Sequence, residues 1–363
     1  KFKTASGAPF STAQTARVEY FLDHSESPDM EHSHDAAGLE LSDLKTPYFN
    51  HISTLVDWSL IRKGGWAVLS DSMNGAVGDC FQQLCQQSGI KCDTLAPDPR
   101  PDFGGRLPEP IAQNLMPLSG GLRMRDYALG LAFDGDGDRF GVMDENGQWV
   151  NIQEVIMLLA EYLMLTRDFG NKLVKTASVT EKLSLLTGIN GIAADITEVQ
   201  VGFKYVSEAM EEKRALMGAE ESGGFGYAFH MPDRDGMVSA LLMLEMLAAS
   251  GFNKLSSCIT GLRKRYGPMH YARIDQPDYR PQRTELLSDL AHGRTGWPGE
   301  IACSEMRQYR DARGVINGLK VIVRPGEAWV LLRASETEPM LRLYAEGSSE
   351  SEVQFLLKSS LSL

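Results

Sequence analysis

Cysteine is scarce in this sequence: five residues in 363, an odd number, with no Cys-x-x-Cys spacing. That excludes a disulfide framework and leaves Cys80, Cys85, Cys92, Cys258 and Cys303 as reduced thiols, the usage of a cytoplasmic protein. A basic excess is missing too. Lys and Arg total 36 against 48 Asp and Glu, a net charge of −12, which argues against a nucleic-acid partner. It does not exclude an anionic small molecule, because a local arginine cluster can hold a phosphate on an acidic protein. No apolar run reaches the length of a membrane span, so no membrane partner is expected. A signal peptide is lacking at the start, and so is an initiator methionine. "KFKTASGAPF" reads as a strand end and a turn, so the chain is expected to begin inside a domain.

What is present is ordinary globular composition, 43% hydrophobic and 23% charged, at a length that calls for several domains. "STAQTARVEYFLD" reads as a helix capped by Ser11 or Thr12, with Ala16, Tyr20 and Phe21 in apolar spacing. The polar stretch after it carries His24, His32 and His34. It reads as a loop with surface histidines, since no further metal ligands cluster there. From Tyr48 to Ile61 the pattern is helical, and "GWAVLSDSMNGAVGDCFQQLCQQSG" gives strand, turn and a helix from about Gly78. Strands alternate with helices from there to "GMVSALLMLEMLAAS", which predicts parallel sheets. Near Gly267 the texture turns strand-rich, closing on the helix "SESEVQFLLKSSLS". The expected fold class is α/β and multi-domain: βα-type domains at 45–150 and 151–266 and a smaller α+β domain at 267–363, preceded by 1–44.

"LAFDGDGDRFG" places Asp134, Asp136 and Asp138 within five residues, separated by glycines, directly after an apolar strand. Unpaired, such carboxylates repel and raise one another's pKa. Parallel sheets present ligands at the carboxyl ends of their strands. Three oxygen donors there suit Mg²⁺, with a phosphate as a further anionic ligand. An EF-hand reading would use Asp134, Asp136, Asp138 and Glu145, but Arg139 stands where that loop needs glycine and a strand precedes it where a helix should. A solvated acidic turn is the third option.

Two further motifs follow in order. "GAEESGG" pairs Glu220 and Ser222, a carboxylate and a hydroxyl able to take neighbouring sugar OH groups, with glycines that admit close backbone approach. Alone it reads more readily as a turn between strand and helix. "RASETEPMLRLY" offers Arg333 as a fork for phosphate oxygens, with Ser335, Thr337 and Arg342 nearby.

"DGDGDR", "GAEESGG" and "RASETEP", in that order across nearly the whole chain, resemble the α-D-phosphohexomutase superfamily: phosphoglucomutase, phosphomannomutase and phosphoglucosamine mutase. The resemblance implies three related αβ domains and a last domain of different fold around a cleft. It implies Mg²⁺ on Asp134, Asp136 and Asp138, Arg139 beside the transferring phosphoryl group, and sugar contacts from Gly202, Phe203 and Lys204 ("VGFKYV") as well as from Glu220 and Ser222. It implies phosphate contacts from Arg333, Ser335, Thr337 and Arg342, with Glu336 where the family often has glycine. A phosphoserine in a T-A-S-H-N-P loop would give its phosphoryl group to a sugar phosphate, by way of glucose 1,6-bisphosphate. That loop is not in this sequence; "TASGAP" lacks its His and Asn, and Ser6 reads as a turn serine. The expectation is therefore a chain lacking the leading part of its first domain, with 1–44 a remnant and linker, and inactive unless the missing N-terminal segment joins it as a partner. "VGFKYV" and "EES" are more similar to phosphoglucomutase than to phosphoglucosamine mutase, which makes glucose 1-phosphate and glucose 6-phosphate the expected substrates, with mannose phosphates admitted. A phosphosugar-binding pseudo-enzyme is the alternative.

Overall fold

The computed structural model describes residues 1–25, 42–188, 191–277, 283–297, 301–311, 313–335 and 339–361. The first helix, α1 (Thr12–His24), starts on a reciprocal cap: Ser11 Oγ accepts from the Gln14 N–H, and the Gln14 side chain accepts from the Ser11 N–H. None of its residues is buried, and Tyr20 and Phe21 stand more than half exposed. His24 bonds back to the Tyr20 carbonyl at 2.8 Å; His32 and His34 lie outside the described residues.

The helical pattern over 48–61 resolves into α2 (Lys45–Ser53) and α3 (Trp58–Lys63). The break comes at Asp57, whose carboxylate takes the N–H groups of Ser59 and Leu60 and so begins a new helix. The first sheet then assembles from β1 (Ala67–Asp71), β2 (Lys91–Leu95), β3 (Tyr127–Phe133) and β4 (Phe140–Asp144), in the order β2-β1-β3-β4. Helices α4 (Cys80–Gln87) and α5 (Met116–Leu122) pack on it. The second sheet repeats the plan. After α6 (Ile152–Thr166) come β5 (Lys172–Thr176), β6 (Asp195–Val199), α7 (Phe203–Lys213), β7 (Met217–Glu220) and β8 (Gly224–Tyr227), in the order β6-β5-β7-β8. Helices α8 (Gly236–Ala249) and α9 (Leu255–Tyr266) follow.

The alternation of strands and helices predicted parallel sheets, but neither sheet is parallel throughout. β4 runs antiparallel to β3, and β8 to β7. The reason is length: the connections at 134–139 and 221–223 are too short for a parallel crossover, which takes about a dozen residues or more. The acidic loop and the Glu220–Ser222 loop are thus both turns between antiparallel strands, not turns into helices.

The two sheets share one core. Leu129, Leu131 and Phe133 of β3 belong to the same buried cluster as Phe225 of β8 and most of α8, which is apolar on every side and buried along nearly its whole length. Glu245 of α8 is buried in this region and holds the Arg167 guanidinium at 2.6 Å and the Asp57 N–H at 2.7 Å.

The C-terminal unit is an antiparallel sheet of order β10-β11-β12-β13-β9, built from β9 (His270–Pro277), β10 (Glu305–Arg310), β11 (Ile316–Arg324), β12 (Ala328–Ala334) and β13 (Met340–Gly347). Helices α10 (Arg283–Ala291) and α11 (Glu350–Leu361) cover it. It meets the second sheet through a small apolar cluster, which includes Ala177, Val201, Trp329 and Tyr344, and through buried charge. The fully buried Lys320 ammonium lies 2.5 Å from Glu181 and 2.9 Å from Glu198, with Lys175 at 2.8 and 2.6 Å from the same carboxylates. Arg307 adds a contact of 2.9 Å to Glu198. Burial works against the Glu198 carboxylate, but Lys175 and Lys320 outweigh it and hold the group far below the ordinary range. Burial, with Lys175 alongside, brings Lys320 down to about 8.

Removing one member of a buried charge cluster strands its partners, at a cost of about 3–5 kcal/mol. Glu198→Gln is therefore expected to destabilise this seam by that order and to raise amide hydrogen exchange along β11 and residues 176–181. Exchange equal to the parent protein's at those residues would refute the assignment.

Candidate active site

Asp134 follows the last residue of β3 and is almost wholly buried. Its oxygens are used within the loop: one accepts the Arg139 N–H at 3.0 Å, the other the Arg139 Nε at 2.6 Å. Gly137, at φ +75°, turns the chain between them. Carboxylate oxygens of Asp134, Asp136 and Asp138 converge to within 4.8 Å of one another. Cations already lean on the cluster. The Lys1 ammonium contacts Asp136 and Asp138, and Arg234 donates to Asp138 at 2.8 Å. Burial pushes the Asp134 carboxyl above its ordinary value. At Asp136 burial acts in the same direction, but the Lys1 ammonium outweighs it and the group ends below its ordinary value.

The donor set is three carboxylates and nothing soft, which fits a hard divalent cation such as Mg²⁺. It does not fit an EF-hand. Glu145, the residue that reading needs, is bonded to Ser256 at 2.5 Å through the hydroxyl and 3.2 Å through the N–H.

The Glu220–Ser222 loop comes from the other sheet, yet the two loops are joined by main chain. Arg139 and Gly224 form an antiparallel bridge, and the Phe140 N–H donates to the Gly223 carbonyl at 3.0 Å. Gly223 sits at φ +90°, and a Cβ there would lie 2.3 Å from the Phe140 carbonyl oxygen. Only glycine allows this approach. Ser222 Oγ donates to Glu220 at 3.0 Å. Arg234 spans the loops, 2.8 Å from Asp138 and 3.8 Å from Glu220, with its guanidinium 5.3 Å from the centre of the Phe203 ring.

A cavity of about 470 Å³ opens beside this junction. Its wall brings together Arg139, Gly202, Phe203, Glu220, Ser222, Arg333 and Arg342, all singled out from the sequence. Lys204 is not in that wall; its ammonium lies 4.7 Å from the Tyr205 ring. Ser335 is buried at the end of β12, where its N–H donates to the Met340 carbonyl at 2.9 Å. Thr337 and Glu336 lie outside the described residues.

Four charged wall residues escaped the sequence reading: Glu109, Glu221, Arg234 and Arg273. Arg234 carried a usable signal. "PDRDG" sets three charges directly before the most apolar helix of the chain, and Asp235 accounts for only one of them by capping α8 through the Val238 N–H. Arg273 alternates with its neighbours along an ordinary strand and gave no such signal.

The chain matches three family descriptions in succession: phosphoglucomutase/phosphomannomutase alpha/beta/alpha domain II over residues 46–147, alpha/beta/alpha domain III over 151–266, and the C-terminal domain over 301–358. A phosphoglucomutase/phosphomannomutase of Thermococcus kodakarensis is 29% identical over 90% of this chain and 66% of its own length. A probable phosphoglucosamine mutase of Methanopyrus kandleri is 25% identical over 98% of this chain and 73% of its own. Among solved structures, a putative phosphomannomutase from Thermus thermophilus superposes with a TM-score of 0.79 at 28% identity, covering 100% of this chain and 74% of that one. The chain spans about two thirds to three quarters of the length of these relatives. It belongs to the α-D-phosphohexomutase superfamily, with the α/β multi-domain architecture of that group.

Gly223→Ala tests the junction of the two loops. The strained φ and the clash with Phe140 are expected to cost about 2–3 kcal/mol, seen as a lower thermal midpoint. A midpoint within experimental error of the parent protein's would show that the loops are not held this closely.

Proposed function

We propose that this chain serves a phosphosugar mutase reaction. It interconverts glucose 1-phosphate and glucose 6-phosphate through a phosphoserine and glucose 1,6-bisphosphate, and also admits mannose phosphates. The observation that carries the reading is the single cavity in which an acidic hydroxyl-binding pair, Glu220 and Ser222, faces arginines from two different sheets, Arg139 and Arg333. A sugar phosphate is the ligand with both needs: a dianion at one end and a row of hydroxyls along its body.

In this scheme Arg333 and Arg342 hold the ester phosphate as a charge-assisted anchor. Glu220 and Ser222 orient the ring. Arg139, its guanidinium fixed by Asp134, offsets charge on the transferring group. Asp134, Asp136 and Asp138 would hold Mg²⁺, which when bound supplies charge neutralisation to a phosphoryl oxygen. The serine that carries the phosphoryl group is not assigned to this chain. Ser6 is occupied in donating to Glu211 at 2.7 Å and is not part of the cavity wall.

Binding tests the reading without depending on turnover. Calorimetry with glucose 6-phosphate should show Arg333→Ala weakening affinity about 10- to 100-fold, the loss of a charged hydrogen bond. Asp138→Asn should weaken Mg²⁺ or Mn²⁺ binding while leaving sugar-phosphate affinity in metal-free buffer nearly unchanged. A preference for Ca²⁺ over Mg²⁺, with no response to any sugar phosphate, would overturn it. Sugar-phosphate binding with no turnover, even in a full-length protein that carries the serine segment and in a coupled assay primed with glucose 1,6-bisphosphate, would favour a phosphosugar-binding protein without catalysis.

A further inference from the structure

Most of the buried acids among the described residues are held by cations; Asp144 and Glu346, which are not, take N–H and O–H donors instead and lie outside the cleft. Asp71 has Arg106 at 2.8 Å, Glu154 has Arg263 at 2.6 Å, and Glu245 has Arg167 at 2.6 Å. Glu221 has no ion-pair partner among the described residues, although it is buried. Its Oε2 takes both of its hydroxyl contacts: Ser178 Oγ, and Thr176 Oγ1 at 3.4 Å. Thr176 is the last residue of β5, and Ser178 follows it by two residues. They fix the carboxyl from one side, and Oε1 takes no side-chain donor among the described residues.

Glu221 also occupies a special place in the site. A second cavity, of about 540 Å³, shares Leu107, Glu109, Glu221, Ser222 and Arg273 with the first. The two are lobes of one cleft, and Glu221 lies in the wall common to both. An acid left without a cation in a ligand cleft is a functional candidate on physical grounds, because such burial is unfavourable unless a partner arrives.

We propose that Glu221 is a further specificity-determining residue: a hydrogen-bonding acid, locked from behind by Ser178, that reads one ring hydroxyl of the bound sugar on the side of the second lobe. This rests on the reading of the cleft as a phosphosugar site. Glu220 and Ser222 grip one part of the ring; Glu221 grips another, so an epimer or a deoxy sugar loses one contact and keeps the rest.

Burial, reinforced by the neighbouring Glu220, raises the Glu221 carboxyl to about 7. Below that pH it is neutral and both donates and accepts; above it, it adds a negative charge to a cleft that takes a phosphate ester. The groups that face it are Glu220 on its own loop, Thr176 of β5 and Ser178 just after it, Arg273, Tyr271 and Tyr344 from the C-terminal sheet, and Glu109 in the shared wall.

Calorimetry on the full chain with glucose 6-phosphate and its 2-, 3- and 4-deoxy analogues tests this. One analogue is expected to bind the parent protein about three- to tenfold more weakly because of Glu221, the range for a single hydrogen bond. In Glu221→Ala that penalty disappears, while the penalties due to Glu220 and Ser222 remain. Glu221→Gln, nearly isosteric, supplies the second arm and serves if the alanine variant does not fold. The dissociation constant of the parent relative to Glu221→Gln should rise between pH 6 and 8, and the phosphate's own ionisation cancels in that ratio. The same three deoxy penalties in Glu221→Ala, or a flat pH ratio, would overturn the proposal while leaving the site reading intact. No hexose phosphate binding by the parent protein would overturn both.

Discussion

The main-chain junction at Arg139–Phe140 and Gly223–Gly224 is the constraint on which the site depends. Two sheets, each ending in an antiparallel strand, bring their last turns against each other, and the absence of a side chain at Gly223 lets them touch. Everything chemically interesting then lies within reach of that contact. The aspartate cluster is on one side and the Glu220–Ser222 pair on the other. Arg234 bonds to one and lies close to the other. Had the two loops been carried on separately packed domains, their distance would have depended on domain motion. Here they share a core that runs from β3 through α8.

Much of this was legible in the sequence, and for physical reasons. Asp134, Asp136 and Asp138 announced themselves because that density of like charge after a buried strand has no cheap structural explanation. Glu220 and Ser222 stood out through their glycines. The order of the motifs carried the architecture. What could not be read was geometry that depends on chain length and on contacts distant in sequence. The antiparallel return of β4 and β8 follows from short connections, which hydrophobic alternation does not report. Arg273 reaches the cleft only because the C-terminal sheet seats where it does, and Glu109 because the loop after β2 folds back beside Arg139. Glu221 was hidden beside its more conspicuous neighbour: in one dimension Glu220 and Glu221 look alike, and only the position of Ser178 distinguishes them.

The residues after β5 tie several of these elements together. Ser178 supports Glu221, and the Gln153 side chain spans the Ser178 carbonyl and the Thr180 N–H. Thr180 in turn donates to Glu346 at 2.7 Å, which also takes the Trp329 indole N–H at 2.7 Å. The wall of the cleft and the footing of the C-terminal sheet are therefore set by one short stretch of backbone, without a long chain of intermediates.

The seam that carries that sheet differs in kind from the core between the first two. It is held by Lys175, Lys320, Glu181 and Glu198 beside a modest apolar cluster. Water's grip on ions loosens on warming, so the dehydration penalty of buried charges falls with temperature, while the gain per unit of buried hydrocarbon levels off. Heat should thus shift the balance of cohesion within the molecule: the apolar body shared by the first two sheets approaches its limit, while the ionic footing of the third holds its strength.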